Sequence, residues 1–294
     1  MLEIGINPVL LNLGPLVLGW HGIFAVLAVA LAVYLVGRWA PEYGIPSDVV
    51  YSTAVWAIIG GILGAKLAHV IDDWRFYIHN PLLALAVWRG GIAIWGGVLG
   101  GFLGGYLYCR INKIPWRRLA DITAPAMLLA QAVGRIGDVI NGEHFSEPTS
   151  LPWGFIYTHP STQALYQNSG FSPFIPTHPA VLYELIWNLL AFVLVWFVLR
   201  NRLKPEGMLF AAYLALYAFG RFFVSFFRED RDWIGDLNEA QIISLLVLLI
   251  VVPLLGFRAR IQSSILKSSN LDATGAKTRG PKKDGARGGS QNPR

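Results

Sequence analysis

The sequence predicts an all-α integral membrane protein of about seven transmembrane helices, with a small irregular loop domain outside the membrane. Three observations predict it. Of 294 residues, 54% are hydrophobic and only 14% charged, with a mean hydropathy of +0.48, whereas a soluble domain is nearer a quarter charged. Apolar runs of spanning length recur along the chain. Lysine and arginine are also distributed unevenly between alternate connections. The single cysteine, Cys109, excludes an internal disulfide framework and a thiol-cluster metal site.

Crossing about 30 Å of hydrocarbon takes roughly 20 residues. Suitable runs lie near Leu16–Gly37, Val49–Ile71, Gly91–Cys109, Asp121–Ile140, Ala180–Leu199, Gly207–Phe227 and Ala240–Phe257. The N-terminal "MLEIGINPVLLNLG" has no basic segment ahead of its apolar stretch, so the first span is expected to stay in the mature chain. Glycine and proline interrupt the third and fourth runs, which is tolerated where neighbouring helices satisfy the freed backbone. In "WGGVLGGFLGGY", Gly96, Gly100 and Gly104 form one i, i+4 row, and Gly97, Gly101 and Gly105 form the next. Such rows suit close packing of two backbones or a groove for a lipid chain. Residues 141–179 carry Pro148, Pro152, Pro160, Pro173 and Pro176 and are expected to form a non-helical, outward-facing loop region. Residues 263–294 are Gly/Ser/Lys-rich and are expected to be a disordered basic cytoplasmic tail, leaving residues 1–262 as one membrane domain.

Of the 24 basic residues, 17 fall on one set of connections and 4 (Arg75, Arg89, Arg228, Arg231) on the other, which places the N-terminus outside and the C-terminus in the cytoplasm. The +6 net charge resides mostly in the inner loops and tail, and points to no nucleic acid partner. Lys66, Arg135 and Arg221 lie inside predicted spans. Arg135 and Arg221 each stand 14 residues beyond the expected inner ends at Asp121 and Gly207, about 21 Å into the bilayer at 1.5 Å per residue. Lys66 stands about 25 Å in by the same measure. Asp138, Asn141 and Glu143 follow Arg135 toward the outer surface, and His21 and Trp95 belong to the same layer. Lys66 and Arg228 suit snorkelling, in which a long cationic side chain reaches the interface. Arg135 and Arg221 are too deep for that and need anions. Asp138 and Glu143 are two candidates, and a phospholipid phosphate is the third, because its oxygens match the guanidinium fork.

The segment "GRIGDVINGEHF", with "LGWHGI", "GGIAIWGGVLGG", "THPAVLYE" and "YAFGRFFVSFFRED" in order around it, resembles the prolipoprotein diacylglyceryl transferases over most of residues 14–257. The resemblance implies a multi-pass enzyme of the bacterial cytoplasmic (inner) membrane that acts in lipoprotein biosynthesis. Its substrates would be phosphatidylglycerol and a prolipoprotein signal peptide bearing a lipobox cysteine, with no metal and no cofactor. It further implies that Arg135 binds the lipid phosphate, that Arg221 is essential and that Asn141 and Glu143 shape the head-group site. Asp138 belongs to the same signature, and His21, Trp95 and Lys66 are expected on the lipid-binding side. Asp121 matches an aspartate that opens the fourth helix and suits an N-cap there. Tyr183 and Glu184 match a motif at the start of the fifth helix, with a structural and a functional role equally open.

Four positions depart from the family pattern. Asp138 stands for an asparagine, Ser146 for a glycine, Ser225 for a glutamate, and Trp95 for a histidine held to activate the thiol. An indole only donates a proton in hydrogen bonds, so the candidate bases here are His21, His69, Glu143 and His144. A free thiol near pKa 8.5 is also slightly ionised without help. Two other function classes fit intramembrane charge: a transporter or channel, and a non-catalytic phospholipid-binding protein. Against transport, the chain shows no internal repeat and its charges lie in one layer.

Overall fold

The computed structural model describes residues 1–14, 16–86, 91 and 93–261. The expected tail at 263–294 therefore lies outside the described residues, as does Arg89. Most of the described chain is helical, and five helices are long and apolar enough to cross a membrane: Trp20–Tyr43, Ser47–Asp72, Ala180–Leu199, Met208–Phe227 and Glu239–Arg258. Their outer faces expose Val26, Ile62, Leu63, Leu249 and Ile250, the surface a helix bundle presents to hydrocarbon. The third and fourth expected spans form as helices but fall short of that composition. One is rich in glycine, and the other carries Asp121, Arg135 and Asp138.

The chain opens with β1 (Leu2–Ile4) and a hairpin of β2 (Val9–Leu13) and β3 (Leu16–Gly19). The expected first span therefore starts late: α1 runs Trp20–Trp39, because its first four expected residues pair in the hairpin. Next come α2 (Ser47–Asp72), a short α3 (Trp74–His79) and α4 (Ile94–Ile111). α2 and α4 pack backbone to backbone. A side chain at Gly64 would collide with the Gly96 carbonyl, and one at Gly100 with that of Gly60. The second row, Gly97 to Gly105, faces Ala57, Ala65 and Thr53 on the same helix. Both glycine rows serve helix packing, and neither is a lipid groove.

α5 (Trp116–Asn141) is the central helix and packs against α1, α7 (Ala180–Val193) and α8 (Met208–Val224). Ala124, Ala126 and Ala132 are buried along it, small residues that let three neighbours approach, and Leu128 is fully buried among them. α7 continues through a π-helical turn, Leu194–Leu199. α8 is followed by a hairpin of two short strands (Asp232–Ile234 and Leu237–Asn238), then α9 (Glu239–Arg258), which packs back on α8. The start of α9 is a full capping box, with Asn238 and Gln241 each accepting from the other's backbone.

Two expectations need correction here. Asp121 does not cap its own helix, which begins five residues earlier. Its carboxylate accepts from the backbone N–H groups of Gly207 (2.7 Å) and Phe210 (2.8 Å), capping α8 instead. The stretch 141–179 is not free of helix: it holds β4 (Phe155–Tyr157), paired in parallel with β1, and α6 (Pro160–Asn168). Pro160 is tolerated because it occupies the first helical position, where no N–H is required. Phe155, Tyr157 and Tyr166 form a buried aromatic cluster there with Phe145 and Phe171 packed on it. At the far end of the bundle, the Arg200 guanidinium lies 3.8 Å from the Trp196 ring centre and bonds the Tyr43 hydroxyl.

Candidate active site

α5 ends at Asn141 because Gly142 takes φ +70°, a left-handed conformation that side chains resist. That stop places Arg135 and Asp138 in the last two turns, Arg135 against α7 and Asp138 against α1. Arg135 donates to Asp138 Oδ2 at 2.5 Å and to Glu184 Oε1 at 2.5 Å. The other oxygen of Glu184, on α7, accepts from Arg221 on α8 at 3.1 Å. Arg221 Nη2 lies 3.8 Å from Asp230, which accepts two hydrogen bonds from Arg228, at 2.8 and 3.0 Å. Arg228 also lies 3.2 Å from His144 Nδ1, and His144 Nε2 lies 3.4 Å from Asp138. The chain of contacts closes on itself. Arg135, Glu184, Arg221, Asp230, Arg228, His144 and Asp138 form a ring drawn from three helices and two loops.

Three guanidiniums face three carboxylates in this ring, so its formal charges balance. Glu184 is 1% exposed and Asp138 4%. Buried carboxylates of this kind are tolerated only with charged, hydrogen-bonded partners. Asp230 lies outside the helices and is more open. Burial pushes its carboxyl up, but the hydrogen bonds and charge of Arg228, with the charge of Arg221, hold it below the ordinary range. A cavity of about 340 Å³ lies at the opposite end of the bundle around Trp39, Asp121 and Arg200.

The other expected residues sort by distance from the ring. His21, at the start of α1, joins it through Asp138 at 2.5 Å, and Glu143 joins through His21 at 3.6 Å. Asn141 ends the helix that carries Arg135. Lys66 stands apart: it is buried, donates to the Tyr77 hydroxyl at 3.2 Å and lies over that ring, and the arginine ring closes without it. Burial against α3 also overturns its reading as a snorkelling cation. Trp95 is the second residue of α4, 40% exposed, on the helix paired with α2. His69 packs edge-on against Tyr77, near Lys66. Tyr183 lies beside the ring, bonded to Trp153 and His178.

Two ring members were not legible as such. Arg228 reads from the sequence as an interfacial cation, yet its side chain is 8% exposed and holds Asp230 with two bonds. Asp230 carries no signal of its own beyond standing two residues from an arginine. Glu143, expected as an anion for the arginines, faces His21 instead, and Glu184 takes that part.

The family model for prolipoprotein diacylglyceryl transferase matches residues 8–257. Among similar proteins are phosphatidylglycerol–prolipoprotein diacylglyceryl transferases of three bacteria. That of Trichormus variabilis is 35% identical over 81% of this chain and 85% of its own length. The Listeria welshimeri protein is 33% identical over 86% and 90%. The Dehalococcoides mccartyi protein is 35% identical over 89% and 97%. With the match covering most of the chain and all the ring, this chain belongs to the prolipoprotein diacylglyceryl transferase family.

Proposed function

We propose that the ring is the head-group site of a transferase that moves the diacylglyceryl group of phosphatidylglycerol onto the lipobox cysteine thiol of a prolipoprotein. The observation that carries this reading is the convergence of Arg135 and Arg221, from different helices, on the two oxygens of Glu184. One buried carboxylate thus holds two guanidiniums in place before any substrate arrives. In the reaction the thiolate attacks the glyceryl carbon, the carbon–oxygen bond to phosphate breaks, and glycerol 1-phosphate leaves with the bonding electrons. Negative charge grows on the phosphate as the bond breaks, so fixed guanidiniums at that point lower the barrier.

The ring offers the phosphate a way in. Its longest contact is Arg221 to Asp230 at 3.8 Å, and Asp230 is its most exposed carboxylate, with 32% of its side chain open. A phosphate takes the place of Asp230 against Arg221 and Arg228 and draws also on Arg135, while Glu184 keeps Arg135 and Arg221 aligned. Asp138 orients Arg135, and Asn141 and Glu143 border the head group where α5 ends. His21 and Trp95 line the approach from the α1 and α4 sides, and Lys66 supports that path from α2.

In the membrane, α4 and α5 complete a set of seven spans, at 18 and 26 residues long enough for the purpose. The basic-residue bias sets the N-terminus outside, the ring toward the outer face, residues 141–179 outside, and the tail at 263–294 in the cytoplasm of a bacterial inner membrane. The test is direct. Purified protein in phosphatidylglycerol vesicles receives a lipobox peptide, and mass spectrometry looks for a thioether-linked diacylglyceryl adduct. An adduct with equimolar glycerol 1-phosphate is expected. Bound lipid without any adduct would make the protein a phospholipid-binding scaffold.

A further inference from the structure

The transfer needs the thiol to lose a proton, and Trp95 cannot take it. The four other candidates have distinct surroundings. His69 packs against Tyr77, away from the ring. His144 has both nitrogens engaged, Nδ1 facing the Arg228 guanidinium and Nε2 facing Asp138. Glu143 faces His21, 3.6 Å from Nδ1. His21 is different. Its Nδ1 lies 2.5 Å from Asp138 Oδ1, and an ionised carboxylate only accepts, so Nδ1 carries the hydrogen and Nε2 keeps the lone pair. Among the described residues nothing bonds to Nε2, and 49% of the side chain is open. Asp138 is 4% exposed and fixed through its other oxygen by Arg135.

We infer that His21 is the base that deprotonates the lipobox thiol and that Asp138 is its positioning residue, an inference that rests on the transferase reading of the site. The thiol proton passes to Nε2 and the thiolate attacks the glyceryl carbon. The phosphate oxygen takes the bonding pair, and the imidazolium returns the proton to the released phosphate or to water. The imidazolium formed meanwhile faces two carboxylates, Asp138 and Glu143, which stabilise it. Behind Asp138 stand Arg135 and His144, and no ion pair reaches His21 from α2 or β3 among the described residues. Because Asp138 bonds both His21 and Arg135, one carboxylate couples thiol activation to the guanidinium that receives the leaving phosphate.

The test uses the full chain in phosphatidylglycerol vesicles with two lipobox peptides, one bearing cysteine and one bearing selenocysteine. A selenol is far more acidic than a thiol and is already ionised at neutral pH, so it needs no base. With the cysteine peptide, the rate depends on a base. His21→Gln should lose about thirtyfold at pH 7, where a thiol of pKa about 8.5 is only a few per cent ionised, and the deficit should shrink toward pH 8.5. With the selenocysteine peptide, the His21→Gln deficit should shrink to a few-fold or less. Asp138→Asn should slow transfer to the cysteine peptide more than transfer to the selenocysteine peptide, a difference that lost packing alone does not produce.

A His21→Gln enzyme equally slow with both peptides, or unimpaired with the thiol, overturns the assignment. So does wild-type activity that EDTA abolishes and a divalent ion restores, since the donor atoms of His21, Asp138 and Glu143 lie within 4.8 Å of one another and could ligate such an ion. Failure of the wild type with either peptide would instead strike at the transferase reading itself.

Discussion

Arg135 makes two short bonds to two carboxylates, and that geometry belongs to a fork and not to a point charge. Arg135→Lys keeps the charge but can hold Asp138 or Glu184 in line, not both, while gripping a phosphate. Transfer should fall 10²–10³-fold, about 2.7–4 kcal/mol, as for the loss of one transition-state donor. Adduct formation by mass spectrometry measures it, with lipid retention on the purified protein as control. A rate within a few-fold of wild type would mean that only the charge matters. Trp95 offers the complementary test. With His21 as base, Trp95→Phe should retain most activity, and Trp95→His should gain less than a few-fold. A large gain with a new pH limb would return the proton transfer to position 95. The departures at Asp138 and Trp95 then have one explanation: a carboxylate beside His21 moves the base from α4 to α1.

Two elements hold the site from outside it. The α2–α4 pair depends on bare backbone, since a Cβ at Gly100 would meet the Gly60 carbonyl and Cα of Gly64. Gly100→Ala should destabilise the protein by about 1–3 kcal/mol as the helices are forced apart, seen as a lower melting temperature in detergent. Unchanged melting would show that the helices slide without cost. The segment after α8 depends on Arg228 and Asp230. The Asp230 carboxyl is held below its ordinary range, so this pair stabilises the fold above the unfolded carboxylate value of about 3.9 and loses that contribution as pH falls through the folded value. Asp230→Asn should therefore lower stability near neutral pH and flatten the acid side of the stability curve. An acid limb unchanged from wild type would exclude Asp230 as its source.

For the whole molecule, orientation decides which leaflet supplies the lipid. A reporter fused after Ser161, in α6, should be exposed outside, and one fused after Thr274 should be cytoplasmic. The opposite pattern would overturn the charge bias and place the ring at the inner leaflet. Either way the ring stays within one end of the bundle. Asp121 and Asp138, 17 residues apart on α5, are separated by about 26 Å of helix, and the two ends carry unrelated networks.

The sequence by itself determined the membrane class, the extent of most helices and the place of Arg135 and Arg221 within them, because hydropathy is local and a charge is conspicuous in apolar sequence. The glycine rows likewise declared a close contact, though not with which helix. Tertiary structure alone decided who pairs with whom. Glu184 stands 49 residues from Arg135 and 37 from Arg221, and no local pattern reports that their helices meet. Asp121 looks like a cap for its own helix and serves one 86 residues away. Arg228 and Lys66 looked like surface cations because burial is a property of neighbours. The tautomer of His21 follows from Asp138, 117 residues distant. Propensity and hydropathy act along the chain, whereas charge pairing and proton position depend on distance in space, which only the packed bundle sets.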